Sequence, residues 1–195
     1  MKKKLSSILL IVTISALVIF VVIMKLSSSP KENGSVYENE IKVLNQSYPS
    51  DIIVFGEDVG FDPSLQYRTI SELKEENLIS ESKYVYTFLV INDHAGKLNI
   101  TDEQFKLCKK MLDEKKVNFY YIGKQYLSKL KDYGFYDALY GDDYCGIGTV
   151  ISPFGTAPIQ GLWREEDEEH FKENPGLLGQ ILAISFVDNV IRPMN

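Results

Sequence analysis

The chain has 195 residues, 45% of them hydrophobic and 25% charged, which is room for one modest domain with its own core. It holds 27 acidic against 21 basic side chains; four of those 21 are lysines at or before position 25, where no acid stands, so the remainder carries a net charge of −10. Such a domain has no electrostatic grip on nucleic acid or on an anionic membrane surface, and cations or basic partners suit it better.

Leu5 to Met24 is uncharged, with Lys2, Lys3 and Lys4 before it and Lys25 after it. At about 1.5 Å per residue, roughly 20 helical residues cross the ~30 Å hydrocarbon core of a bilayer. One transmembrane helix is therefore expected over residues 5–26, behind a cytoplasmic tail of residues 1–4. A cleaved signal peptide has an apolar core of only about 7 to 15 residues. This run is longer, and no cysteine near it offers a lipid attachment point, although Ser27, Ser28 and Ser29 imitate a cleavage site ahead of Pro30. The heavier positive charge before the span places the N-terminus inside and the C-terminal domain outside, at the cell membrane.

Residues 27–47 read as a linker that runs into a short helix or strand, and 48–195 as an extracytoplasmic α/β domain. Asp51 to Gly56 is a short apolar run ending in Gly, as a buried strand would be. Residues 64–79 carry Leu65, Ile70, Leu73, Leu78 and Ile79 among charges, which predicts an imperfect amphipathic helix. Tyr84 to Ile91 is aromatic and β-branched without a charge, the strongest strand in the chain.

Thr101-Asp102-Glu103-Gln104 has the form of a capping box opening a helix from 102 to about 115, with Phe105, Cys108, Met111 and Leu112 on its core face. Val117 to Ile122 predicts a third strand, 124–132 a short helix, and Gly148 to Ser152 a fourth strand. A Pro/Gly-punctuated segment follows to Trp163, and Asn174-Pro175 opens a largely apolar helix through about Val190. No internal repeat or low-complexity tract interrupts this order. Strands alternating with helices predict an α/β three-layer sandwich with a mainly parallel sheet, preceded by the one transmembrane helix.

The segment FLVINDHAGKLNITDEQFKLCKKMLDEKKVNFYYIG, residues 88–123, resembles the central part of class I glutamine amidotransferase-like domains. There, too, a strand ends in a polar residue, a short Gly-containing loop leads to a Thr-Asp-Glu helix start, and a further strand follows a charged helix. The resemblance implies a flavodoxin-like three-layer fold. Active members place a nucleophilic cysteine in a tight turn after a strand, but here Ile122 is followed by Gly123-Lys124-Gln125. The missing catalytic cysteine argues against amidotransferase activity.

In open parallel sheets, ligands sit beyond the carboxyl ends of the strands. Those ends present Glu57, Asp58 and Asp62 after the first strand, Asn92, Asp93 and His94 after the second, and Gly123 after the third. Asp58, Asp93 and His94 are the catalytic candidates, as acid and base or as ligands of a divalent cation. Glu57, Asn92 and Trp163 are the binding candidates. Asp and Asn at strand exits also cap loops without any further role.

Cys108 and Cys145 are the only thiols, and their pairing depends on a proximity that spacing does not fix; two free thiols, one of them buried, are the default. Cys145, in GDDYCGIG, would be a nucleophile if His94 or His170 approached it, but the sequence places neither there, and Asp142 and Asp143 favour the neutral thiol. Gly141, Gly146 and Gly148 lack the Lys-Ser/Thr and the spacing of a phosphate cradle, so no nucleotide cofactor is expected. The run Glu165 to Glu169 before His170 reads as a solvated first helical turn or as a docking strip for a basic partner.

These readings describe a membrane-anchored extracytoplasmic binding or assembly module, with a protein of the cell envelope as its expected partner. The alternative is a metal-dependent or acid/base hydrolase using Asp58, Asp93 and His94. The ligand and any cofactor are unspecified by the sequence.

Overall fold

A computed structural model describes residues 37–137, 145–152, 155–160, 171, 173–174 and 176–192. The chain divides into two units, Met1–Asn39 and Glu40–Asn195. Of the first, only the helical residues 37–39 are described. Among the described residues no helix is long and apolar enough to cross a membrane; the expected span, residues 5–26, lies outside them.

The second unit is an α/β domain built on one six-stranded mixed sheet. A helical stretch ends in a π turn at Val43–Ser47 and leads into β1 (Ser50–Gly56). Then come β2 (Arg68–Ile70), α1 (Glu75–Leu78), β3 (Tyr86–Asn92), α2 (Asp102–Asp113), β4 (Asn118–Ile122), α3 (Leu127–Asp132), β5 (Gly146–Ser152), β6 (Gly155–Gln160) and α4 (Leu177–Phe186). A second π turn, Val187–Ile191, continues α4. Across the sheet the order is β2-β1-β3-β4-β5-β6.

The first four strands in that order are parallel, while β5 runs antiparallel to β4 and β6 to β5. The expectation of a mainly parallel sheet therefore holds for β1 to β4, and the sheet closes with an antiparallel pair. Residues 88–91 of β3 and all of β4 are buried. Strands covered on both faces read as continuous apolar runs, which is why these two are plain in the sequence.

Alternation along each strand divides the core. Ile53, Leu89, Ile91, Phe119, Tyr121 and Ile147 join Phe105, Cys108, Met111 and Leu112 of α2 and Leu130 of α3 in one cluster. The intervening residues meet α4: Phe186 stacks on Phe88 at 4.3 Å between centroids and meets Tyr120 edge-on at 4.9 Å. Helices thus cover both faces, and both cysteines are buried and form no disulfide.

The capping box forms as expected: Gln104 N–H donates to Thr101 Oγ1 at 3.3 Å, and Thr101 N–H donates to Gln104 Oε1 at 2.9 Å. The helix expected over residues 64–79 does not form. Arg68–Ile70 instead pairs with Ile53–Phe55 as an edge strand, and only Glu75–Leu78 is helical. An ion pair accompanies this pairing: the Arg68 guanidinium grips both oxygens of buried Asp51, Nε to Oδ1 at 2.9 Å and Nη2 to Oδ2 at 2.8 Å. Leu65, Leu73 and Leu78 are buried all the same, so the apolar positions mark the core although their helical period does not hold.

Strand β6 was hidden in the Pro/Gly-punctuated segment. Pro158 lies opposite Thr149 in the outermost strand, where a missing backbone donor is tolerated.

Candidate functional site

Because the chain leaves β1 for β2 on one side and reaches β3 on the other, the sheet has its topological switch point between β1 and β3. Asn92 stitches this point together. Its Nδ2 donates to the carbonyls of Glu57 at 3.2 Å and Asp58 at 3.0 Å, while Glu57 N–H donates to the Asn92 carbonyl at 3.1 Å. Asn92 Oδ1 also accepts from His94 N–H at 3.3 Å. At 2% exposure, Asn92 is a strut between two strand exits.

Asp93 is 1% exposed. Its Oδ1 accepts from Leu98 N–H at 2.8 Å and its Oδ2 from the Tyr121 hydroxyl at 3.1 Å. Tyr121 in turn accepts from Tyr126 N–H at 3.2 Å, and the Tyr126 hydroxyl donates to the Leu98 carbonyl at 2.8 Å. Burial, reinforced by the Asp93 carboxylate, holds the Tyr121 phenol far above its ordinary range, so it stays a donor. This network fixes the loop after β3 to the loop after β4.

Asp58 is exposed, and its Oδ1 accepts from Gly60 N–H at 3.1 Å, a local turn contact. Asp62 does the same for Ser64, whose hydroxyl and N–H hold the Asp62 carboxyl below its usual range. Glu57 is half-buried, and His94 is exposed. Among the described residues no group of three or more His, Cys, Asp or Glu is arranged to hold a metal ion. Trp163, His170, Asp142, Asp143 and the run 165–169 lie outside the described residues.

An open cleft lies one strand over from the switch point, across the exits of β3 and β4 and the entry of β5. It measures about 270 Å³ and is lined, among the described residues, by His94, Ala95, Gly96, Gly123, Lys124, Gln125 and Cys145. Pairing of β3 and β4 continues past the strand ends through Asp93 N–H to the Ile122 carbonyl at 2.8 Å, and Gly123 N–H reaches the Cys145 carbonyl at 2.8 Å. Those two bonds bring His94, Lys124 and Cys145 around one opening.

His94 and Cys145 are thus neighbours of the same cleft, a relation the spacing in sequence does not reveal. Lys124 and Gln125 were legible only as residues standing where a cysteine is missing. The signal that finds them is register: Asn92 faces Ile122, so the chain leaves β3 and β4 at the same level of the sheet, two residues before His94 and Lys124. Cys108 plays no part here, since its thiol is buried in the α2 core and pushed up to about 12.

No family model matches this chain, and neither a curated protein nor a solved structure shows significant similarity to it.

Proposed function

We propose that this chain is a membrane-anchored binding or assembly module: an extracytoplasmic three-layer α/β sandwich, tethered by residues 5–26, that meets an envelope partner through its strand-end loops. The observation that carries this reading is the use made of Asp93. A general acid or base must reach the proton it moves. Asp93 is 1% exposed, and its oxygens are occupied by the Leu98 amide and the Tyr121 hydroxyl.

A hydrolase built on Asp58, Asp93 and His94 would need that group in another role. The strand exits offer instead loops tied by hydrogen bonds around an open cleft, and binding residues commonly sit on loops positioned by a rigid scaffold. The amidotransferase-like resemblance contributes fold analogy alone, which licenses no activity.

The test is affinity capture from detergent-solubilised membranes with the full chain as bait, wild type beside the double substitution His94→Ala and Lys124→Ala. A partner recovered repeatedly with wild type and lost with the variant is the expected outcome. Recovery of no specific partner, or the same set with both baits, would overturn the reading. A C-terminal reporter active only outside the cytoplasm is expected to be active on the full chain and inactive once residues 5–26 are removed.

A further inference from the structure

We infer that the end of the sheet at which β1 and β3 begin lies against the outer surface of the bilayer, with Tyr48, Tyr67, Ile79 and Val85 entering the headgroup region. This depends on the reading of residues 5–26 as a membrane anchor and adds which way the domain faces.

The first argument is where the apolar surface lies. Among the described residues the exposed large apolar side chains are these four, and Ile79 and Val85 show more than half of their surface, 57% and 58%. Exposed apolar residues scattered singly need no explanation, but these gather at one end. Tyr48 stands two residues before β1 and Val85 one before β3, and the Val85 N–H donates to the Pro49 carbonyl at 2.7 Å. Tyr67 immediately precedes β2 and lines one small hollow with Ser50, Asp51 and Tyr84. Ser80, next to Ile79, hydrogen-bonds Asp51 and Thr87, the second residues of β1 and β3. The strand exits around the cleft, at the opposite end of the sheet, hold none of the four.

Composition is the second. Tyrosine is enriched at membrane–water interfaces because its ring is apolar and its hydroxyl polar, and Tyr84 and Tyr86 stand half-buried beside the four. The Lys83 ammonium lies over the Tyr84 ring at 4.9 Å, and a lysine can lay its stem along apolar surface while its charge stays in water. Two carboxylates at this end are each answered by a cation, Asp51 by Arg68 at 2.8 Å and Glu81 by Lys83 at 3.0 Å. The contact is therefore apolar and not electrostatic, as an acidic domain requires.

Reach is the third. Residues 27–36 separate the apolar span from the described chain, and ten residues extend over about 35 Å at most. A domain of roughly 150 residues has a radius of gyration of about 15 Å. A tether this short keeps the domain within about its own diameter of the bilayer, so an apolar end meets headgroups at a high effective concentration. With that end down, the cleft at the strand exits points away from the membrane, toward a partner.

The experiment places the ¹⁵N-labelled full chain in phosphatidylcholine bicelles, with and without a headgroup-spin-labelled lipid, and reads the loss of each amide signal. The amides of Tyr48, Tyr67, Ile79 and Val85 are expected to lose about two-fold or more intensity relative to those of Gly96, Gly123 and Gln125 at the strand exits. Ile79→Ser with Val85→Ser, two substitutions at exposed positions, is expected to remove roughly half of that difference or more. Equal loss at both ends, greater loss at the strand exits, or an unchanged pattern in the double variant overturns the inference. Shifts at the four amides that follow protein concentration and not the spin label would assign this end to a second copy of the chain, and overturn it as well. A chain that anchors in the bicelle without contact at this end removes the orientation and keeps the module; a chain that stays out of the bicelle removes the anchor and the orientation with it.

Discussion

Gly123 occupies a position no other residue fits. Its φ of 138° lies where L side chains are strained, and a Cβ there would meet the Asp93 carbonyl at 2.5 Å and the Tyr121 hydroxyl at 2.9 Å. Gly123→Ala combines backbone strain with overpacking, each worth about 1 to 3 kcal/mol, so a loss of roughly 2 to 6 kcal/mol of unfolding free energy is expected, read as a lower urea midpoint. A midpoint within error of wild type would mean that the strand exits open more easily than their hydrogen bonds imply. The same neighbourhood separates two carboxylates that look alike in sequence. Asp93→Ala removes two hydrogen bonds, one of them from a buried phenol, at a cost of about 2 to 4 kcal/mol. Asp58→Ala removes one exposed turn contact, at about 1 kcal/mol or less. Denaturation of the two variants side by side checks the order, and equal losses would contradict the structural role given to Asp93.

At the scale of elements, α4 reaches the loop after β1 through a glycine. A Cβ on Gly179 would meet the Gly60 carbonyl oxygen at 2.6 Å and Phe61 Cα at 2.8 Å, both backbone atoms with no flexible end to move aside. Alanine at a helical glycine gains about 1 kcal/mol of propensity, whereas overpacking against backbone costs about 1 to 3. The second effect wins. Gly179→Ala is therefore expected to destabilise, and a higher urea midpoint would show that the helix can shift outward. Contacts of this kind also explain what the sequence revealed and what it concealed. The capping box at Thr101 and Gln104 is local chemistry within four residues, and β3 and β4 announce themselves because burial on both faces removes every charge. Strand β2 pairs with β1 and ties Arg68 to Asp51, 17 residues earlier in the chain, long-range contacts that its local helical period does not announce. Strand β6 carries a proline that only an edge position permits. The strand-exit residues were legible one loop at a time, but the cleft they share was not. It requires the register of β3 with β4 and the antiparallel return of β5, which carries Cys145 back to Gly123.

On the scale of the whole molecule, the core holds ionisable groups on both sides of the sheet, and this sets how the domain responds to alkali. Cys108 and Tyr121 lie in the cluster under α2, while Tyr120 meets Phe186 of α4. Burial raises all three above their ordinary values, Cys108 from 9.0 to about 12. Below pH 9 the folded and unfolded chains hold the Cys108 proton alike, and its burial costs nothing more. Above pH 9 the unfolded chain releases that proton and the folded chain keeps it, so stability falls by up to about 1.4 kcal/mol per pH unit until about pH 12. Over three units the loss approaches about 4 kcal/mol, a large share of the roughly 5 to 15 kcal/mol that a domain possesses. The tyrosines join only beyond their ordinary pKa of 10.0, which leaves pH 9 to 10 as the window in which the Cys108 thiol acts ahead of them. Cys108→Val keeps an apolar group of similar size on the core face of α2 and removes the titration. Urea midpoints measured from pH 8 to 11 are expected to decline more steeply between pH 9 and 10 in the wild type than in the variant, and both to fall with the tyrosines above about pH 10. An identical decline in both proteins between pH 9 and 10 would assign that slope to a group other than Cys108.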